Sequence, residues 1–177
     1  MRLDIQKWKD FKLKDLFTFV KGKCSNAPDL EDGADIPYIG AKKEENGVMK
    51  WVKFDKDLVN DGNCICFICQ GEGSNGFNNY FENDTINTTS NVLGYNKKLN
   101  KYNGLFLVTV LDLERPKWSF GRGRAPKLKD TIIKLPAILI NGKYEPDWER
   151  MTNEIKEIYI YLSKKAYERM LKKEFQI

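Results

Sequence analysis

The sequence contains no histidine among its 177 residues. This absence excludes Ser-His and Cys-His dyads, zinc sites with histidine ligands, and the usual general base near neutral pH. Long apolar runs are also missing, and no stretch approaches the ~20 apolar residues that a membrane-spanning helix needs. The N-terminal segment is charged throughout, unlike a signal peptide. We therefore expect a cytoplasmic protein without a membrane partner, whose cysteines stay reduced.

Cysteine is scarce, with four residues at Cys24, Cys64, Cys66 and Cys69. Their spacing does not give the two C-x-x-C motifs that are typical of a zinc site, and a fourth metal ligand would have to be the distant Cys24. The run "NCICFIC" alternates cysteine with isoleucine and phenylalanine. This pattern favours a buried strand in which cysteine packs as a small hydrophobe. We predict no metal site, no catalytic residue and no cofactor.

Charge of one sign is concentrated in one segment. The whole chain has 30 basic and 25 acidic residues, a net charge of +5 that says little by itself. Between Arg115 and Lys134, however, there are seven cations and a single acid, Asp130. A solvated face is the commoner meaning of such a run, but its concentration here predicts a surface for a polyanion.

Two glycine-bearing stretches suggest chemistry at first sight. In "QGEGSNG", Gly71, Gly73 and Gly76 match the spacing G-x-G-x-x-G. That motif needs a helix directly after the glycines, whereas "FNNYFENDTINTT" is poor in helix formers. We interpret the stretch as a flexible loop rather than a nucleotide site. "GAKKEENG" places acids near lysines, as nuclease centres do, but the sequence supplies no matching carboxylate at a convincing spacing.

The chain before residue 146 has the pattern of a β-rich body. A short helix is predicted near Leu13 to Phe17. Strands are predicted for "IPYIGA", "VMKWVKF", "CICFICQ", "SNVLGYN", "LFLVTVLDL" and "DTIIKLPAI". An Asn-Gly turn is predicted in "LINGKYEPDW".

The chain changes character after Pro146. Asp147 can cap a helix that runs from Trp148 to about Glu174, which is much longer than the typical ~12 residues. Its apolar side chains form one continuous stripe: Met151, Ile155, Ile158, Leu162, Ala166 and Met170. Two interpretations stay open, because the helix could dock along its own domain or present its distal half to a partner.

Four segments occur in a characteristic order: "FKLKDLFTFVKGK", "IPYIGAKKEENGVMKWV", "SFGRGRAPKLKDTIIKLPA" and "NGKYEPDWERM". Together they resemble the target recognition domain of the specificity subunit of type I restriction–modification systems. The resemblance implies an α+β fold, with a twisted β-rich recognition domain over residues 1–145. A long C-terminal helix over 146–177 would serve dimerisation or subunit contact. A full specificity subunit usually carries two such domains, so this chain resembles half of one, as either a natural half-subunit that dimerises or a truncated fragment.

The resemblance also implies partners. They are double-stranded DNA, a methyltransferase subunit, a restriction subunit, and a second copy that pairs through the C-terminal helix. S-adenosylmethionine would be bound by the methyltransferase and not by this chain. One alternative is a stand-alone DNA-binding or anti-restriction protein, which failure to co-purify with a methyltransferase would favour. A less favoured alternative is a small metal-dependent nuclease, which metal-dependent cleavage by the isolated chain would favour.

Candidate DNA contacts lie in three loops of this pattern. Arginine pairs with guanine and phosphate, while asparagine and glutamine read adenine. The same amides and hydroxyls often bond only to their own backbone in glycine-rich turns. The predicted DNA-binding residues are Lys42, Lys43, Asn46, Gln70, Ser74, Asn75, Asn79, Arg122, Arg124 and Lys127.

Overall fold

The computed structural model describes residues 5–71, 73–118 and 123–174. Its helices are α1 (Leu13–Leu16), α2 (Lys101–Asp112) and α3 (Trp148–Glu174). Its strands are β1 (Lys9–Lys12), β2 (Thr18–Lys21), β3 (Asp32–Ile39), β4 (Val48–Val52), β5 (Val59–Asn60), β6 (Cys64–Ile68), β7 (Asn78–Phe81), β8 (Thr85–Asn87), β9 (Asn91–Tyr95), β10 (Ile132–Leu135), β11 (Ala137–Ile140) and β12 (Lys143–Pro146). The predicted fold class, a β-rich α+β body followed by a long helix, is confirmed. Within the described ranges, no helix is both long and apolar enough to cross a membrane.

The strands form two four-stranded sheets and two ribbons. One sheet has the order β2-β9-β6-β7 and is antiparallel, while the other has the order β4-β3-β8-β5 and contains a parallel β3–β8 pair. The ribbons are the antiparallel pairs β1–β10 and β11–β12. The two sheets face each other through a small core made by Ile39, Cys64, Cys66 and Leu93.

Strand β6 lies at the centre of the molecule and is buried along its whole length. One of its faces meets the second sheet, and Ile65 and Phe67 on the other face belong to the larger core, to which α1, α2 and α3 also contribute. All four cysteines are buried, so the interpretation of "NCICFIC" as a core strand is confirmed. The glycine-rich and basic loops are built outward from this rigid centre.

The prediction of a strand for "LFLVTVLDL" is wrong, because this stretch belongs to helix α2. Asn100 caps the helix, because its side-chain oxygen accepts from the backbone N–H of Tyr102 and of Asn103. The Asn100 backbone N–H in turn donates to the side-chain oxygen of Asn103. Gly104 lets the helix approach the sheet, since a Cβ there would stand 2.4 Å from the Tyr80 ring. A short continuous apolar run fits a strand or a buried helix equally well by periodicity, and here the cap and the close approach decide for the helix.

The predicted Asn-Gly turn and the predicted start of the C-terminal helix are confirmed. Asn141 and Gly142 both have positive φ, 49° and 78°, as a tight two-residue hairpin turn requires. The turn joins β11 to β12. The Asp147 carboxylate accepts from the backbone N–H of Arg150 at 2.9 Å and caps α3, which begins at Trp148 as predicted.

The interpretation that α3 docks along its own domain is confirmed for the first part of the helix, and pairing of the distal half with a partner stays a prediction. Met151 is fully buried and Ile155 packs against the same core, while Tyr102 of α2 stacks edge-on against Tyr159 at 5.8 Å. Met151 is therefore a core residue, which corrects its assignment to a subunit interface. The distal half is different, since Leu162 is 57% and Met170 62% exposed.

Burial of the cysteines makes stability depend on pH. Burial raises the pKa of Cys64 to about 12 and that of Cys69 to about 11, and it raises the pKa of Cys66 well above its ordinary value. These thiols stay neutral in the folded protein but ionise in the unfolded chain near pH ~8.5. Their contribution is therefore fully present below that pH and is lost as the pH rises.

We expect the free energy of unfolding to fall by ~0.7 kcal/mol for each of these thiols between about pH 8 and about pH 9. Urea unfolding at the two pH values measures this, provided that the m-value does not change. Cys66→Ala should remove about a third of the pH dependence that the three thiols cause. An unaltered pH dependence in that variant would contradict this origin.

Candidate nucleic-acid interface

The centre of the candidate interface is the glycine loop, residues 69–77, which joins β6 to β7. Its backbone is closed by the Asn75 N–H donating to Gly71 and the Gly76 N–H donating to Ile68. Gly71 has φ 110°, and a Cβ there would lie 2.5 Å from the Ser74 hydroxyl. Only glycine fits that position. The loop is thus folded back on itself rather than extended.

The lysine loop, residues 40–47, lies on one side of the glycine loop. It is closed by the Gly40 N–H donating to the Gly47 carbonyl at 2.9 Å, and Glu45 and Asn46 adopt left-handed backbone angles, with φ 51° and 53°. The Ser74 hydroxyl donates to the Ala41 carbonyl at 2.7 Å. This bond ties the two loops together and leaves the Asn46 side chain exposed at the tip.

The basic segment, residues 115–131, lies on the other side of the glycine loop. The Asn75 amide donates to the Trp118 carbonyl at 3.0 Å, and the Arg115 guanidinium stacks over the Phe77 ring at 3.4 Å. A Cβ at Gly76 would approach both Trp118 and Arg115. The structure therefore brings together the three loops that the sequence singled out.

Arg124 joins the basic segment to the glycine loop from inside the protein. Its side chain is fully buried, and one guanidinium nitrogen donates to the carbonyls of Ile68 and Phe77 at 3.4 and 3.2 Å. The other donates to the Asn78 side-chain oxygen at 2.7 Å. The prediction that Arg124 contacts DNA is corrected on this ground, because its donors are turned inward and no surface of the side chain remains for a ligand.

Asn78 and Asp112 complete this buried cluster. Asp112 accepts from both the backbone N–H and the side-chain amide of Asn78, at 3.1 and 2.7 Å. Burial raises the pKa of Asp112 and lowers that of Arg124 to about 10. Arg124 therefore stays protonated at neutral pH, and its charge is balanced by hydrogen bonds and by the nearby carboxylate.

Four of the six described cations between Arg115 and Lys134 are engaged within the protein, two of them, Arg115 and Arg124, as described above. Lys117 pairs with Glu114, and Lys134 pairs with Asp10 at 2.7 Å. Lys127 and Lys129 are exposed, and neither forms an ion pair with a described residue. The part of this surface that is open to an anion is therefore smaller than the sequence count suggests.

The lysine loop carries its own counterions. Lys42 pairs with Glu45 at 2.5 Å, and Lys43 pairs with Glu44 at 3.3 Å. Such surface pairs contribute little and exchange partners readily. A phosphate at this loop would have to displace the two carboxylates.

The predicted residues fall into three groups. Lys43, Asn46, Gln70 and Lys127 are exposed on the loops, and Lys42 is partly exposed. Ser74, Asn75 and Asn79 are buried or partly buried, and Ser74 and Asn75 brace the neighbouring loops. Arg122 lies outside the described residues.

Sequence reasoning missed the bracing roles of Arg115, Trp118 and Asp112. Arg115 was counted only as one cation among seven. The signal that could have identified it is the aromatic residue in the glycine loop, Phe77, which offers a ring for a guanidinium to stack on.

Comparisons with known proteins identify the family of the chain. A family model described as the type I restriction modification DNA specificity domain matches residues 5–158. A comparison with curated proteins gave no significant match.

Three solved structures are similar in fold. The S subunit of a type I restriction–modification system from M. genitalium is 18% identical, with a TM-score of 0.61 over 95% of this chain and 42% of that one. The HsdS subunit from Thermoanaerobacter tengcongensis is 15% identical, with a TM-score of 0.58 over 96% and 41%. A chain from a structure on assembly and conformational transition of the type I R-M system is 15% identical, with a TM-score of 0.62 over 98% and 43%.

At these identities the likeness establishes the fold, and the chain spans about two fifths of the length of each solved subunit. The family model, by contrast, covers most of the chain. The chain belongs to the family of type I restriction modification DNA specificity domains.

Proposed function

We propose that this chain reads a short sequence in duplex DNA and directs methyltransferase and restriction subunits to it. Family membership supports the DNA role. Methyl transfer would be carried out by the partner with its own S-adenosylmethionine, so the chain contributes recognition and no catalysis. Its place of action would be the cytoplasm, where the DNA is.

The observation that carries this proposal is the bracing of three loops into one surface. The glycine loop is tied to the lysine loop through Ser74 and to the basic segment through Asn75 and the buried Arg124. Loops held on a rigid scaffold are the usual place for recognition. A fixed surface lowers the entropic cost of ordering the contact groups when a ligand binds.

The exposed side chains on this surface have the chemistry of a DNA reader. Asn46 and Gln70 carry amides that can pair with adenine, whereas Lys43 and Lys127 can contact phosphates. We assign the two amides to base reading and the two lysines to backbone positioning.

The test begins with selection of a preferred sequence from random duplexes. Asn46→Gly removes an amide while keeping the left-handed backbone, and Gln70→Ala removes the other. Each is expected to weaken binding to the selected duplex by about 1–3 kcal/mol, with a smaller loss on scrambled DNA. Asn83→Ala is the matched control, since this exposed asparagine lies in the turn at the opposite end of β7.

Failure of the purified wild-type chain to enrich any sequence or to bind any duplex would overturn the proposed function. If the two substitutions weaken binding to selected and to scrambled DNA equally, the two amides contact the phosphate backbone and not the bases.

We also propose that the chain pairs with a second copy through the distal half of α3. The support is the exposure of Leu162, Ala166 and Met170 on one stripe, since exposed apolar surface of this kind marks an interface. The interface would begin near Ile158, because the helix before it is packed on its own domain. Residues 1–145 would then be the reading unit and 146–177 the pairing unit.

A further inference from the structure

A second basic concavity lies away from the glycine loop. It is a groove of about 1020 Å³ between β1, α1 and the β11–β12 hairpin. Five lysines line it: Lys9, Lys12, Lys14, Lys98 and Lys143. Three acids also line it, namely Asp10, Asp15 and Glu145.

Two contacts hold the β11–β12 hairpin over the groove. The Lys9 ammonium lies 4.6 Å from the centre of the Tyr144 ring, and Lys98 pairs with Glu145 at 3.7 Å. The groove is thus walled by secondary structure rather than by mobile side chains alone.

The acids of the groove do not neutralise all its lysines. Asp10 is engaged by Lys134 and Glu145 by Lys98, while Lys14 pairs with Asp130 at 2.8 Å. Lys12 and Lys143 are both exposed, and neither forms an ion pair within the described part of the chain. The groove lining therefore has two more lysines than acids, although the charge of Lys12 also helps Lys14 to lower the pKa of Asp130.

The groove lies next to the C-terminal end of the basic segment. The Lys14–Asp130 pair and the hydrogen bond from the Leu13 N–H to the Thr131 carbonyl join α1 to the end of that segment. The 3-10 helical turn Ala125–Asp130 is six residues long, about 12 Å at ~2.0 Å per residue. The exposed Lys127 and Lys129 lie on this connection.

We propose that the groove binds the phosphate backbone of the DNA beside the recognised sequence. This inference rests on the proposed function and adds a second contact site to it. The span from the reading loops to the groove is on the order of 12–20 Å, which corresponds to about four to six base pairs at ~3.4 Å each.

Continuity favours DNA over an acidic protein as the occupant. Exposed lysines occur at both ends of this connection, Lys127 and Lys129 in the basic segment and Lys12 in the groove, as contact with a chain of regularly spaced phosphates would need. Lysine acts here as a point charge without base specificity, so the contact adds affinity and fixes the register of the duplex.

The experiment compares Lys12→Gln and Lys143→Gln, singly and together, with the wild type on the selected duplex. The slope of log Kd against log salt is expected to fall by about 0.9 for each lysine that contacts a phosphate. Lys56→Gln is the matched control, because this exposed lysine follows β4 at the end remote from the lysine loop.

The length of the duplex provides the second readout. Lengthening one flank of a minimal site by about six base pairs should increase the affinity of the wild type, and the double variant should lose that gain. A double variant that keeps both the salt slope and the flank effect would overturn the groove assignment while leaving sequence reading intact.

Two other outcomes would also overturn it. If the double variant binds DNA normally but no longer co-purifies with a methyltransferase subunit, the groove binds an acidic protein surface instead. If the wild type binds no duplex, the proposed function fails and this inference fails with it.

Discussion

Replacing Arg124 by alanine is expected to lower the free energy of unfolding by about 3–5 kcal/mol and to abolish detectable DNA binding. The change removes a buried charge and leaves the carbonyls of Ile68 and Phe77 and the side-chain oxygen of Asn78 without their donor. Removing one member of a buried polar cluster costs this much because the groups left behind are neither hydrated nor paired. Urea unfolding measures the first effect and binding to the selected duplex measures the second.

Arg124→Lys separates charge from geometry. The lysine keeps the positive charge but presents one ammonium, which cannot reach all the acceptors that the two guanidinium nitrogens bind. We expect most of the stability loss to remain. Lys127→Ala is the surface comparison and should change the free energy of unfolding by less than ~0.5 kcal/mol while weakening DNA binding. A stable Arg124→Ala protein with undiminished affinity would refute the bracing role.

The second large effect is expected from Leu162→Asp combined with Met170→Asp. If α3 pairs with a second copy through its distal half, two aspartates in the apolar seam should raise the dissociation constant of the dimer at least ~100-fold, since each must be desolvated without a partner. Both side chains are more than half exposed in the single chain, so the fold of the monomer should be unaffected. Sedimentation or light scattering over a concentration series measures the change.

Lys164→Asp is the control for the pairing experiment. This exposed position lies two residues from Leu162, on the opposite side of the helix, and should leave the dimer intact. A wild-type chain that stays monomeric at tens of micromolar would exclude self-pairing. If the double variant instead loses only a methyltransferase subunit, the stripe serves that partner.

A symmetric pair would leave a signature in the DNA. The 27-residue helix is about 40 Å long, so two copies of the reading loops would be held apart along the duplex. Two-fold symmetry of the protein then requires two inverted half-sites separated by a spacer. An asymmetric selected sequence would count against the pair even if the chain dimerised in solution.

The long helix and the hairpin were predictable because local rules determine them. Asp147 caps α3, and Asn141 with Gly142 forms the turn, without help from distant residues. Helix α2 was not predictable in this way. Its apolar run fits two structures, and the choice depends on the Asn100 cap and on the close approach of Gly104 to Tyr80, which is distant in sequence.

The site was predictable as a set of loops but not as a set of side chains. A charged residue in a sequence is normally expected to be exposed to solvent. That expectation fails for Arg124, because the acceptors that bind its guanidinium come from β6 and β7, more than forty residues earlier. Likewise, the charge of Lys134 is cancelled by Asp10, which only the fold brings near, whereas the pair of Lys117 with Glu114 is local in sequence.

The bonds from Arg124 to the carbonyls of Ile68 and Phe77 have a consequence for how such a domain changes during evolution. A main-chain carbonyl is present whatever the amino acid, so the clamp on the glycine loop does not depend on the identity of the residues between. Gln70 and the other exposed positions can therefore mutate while the loop keeps its shape. Selection for new DNA target sequences can therefore replace these exposed side chains one at a time, and each intermediate protein still folds and still binds DNA.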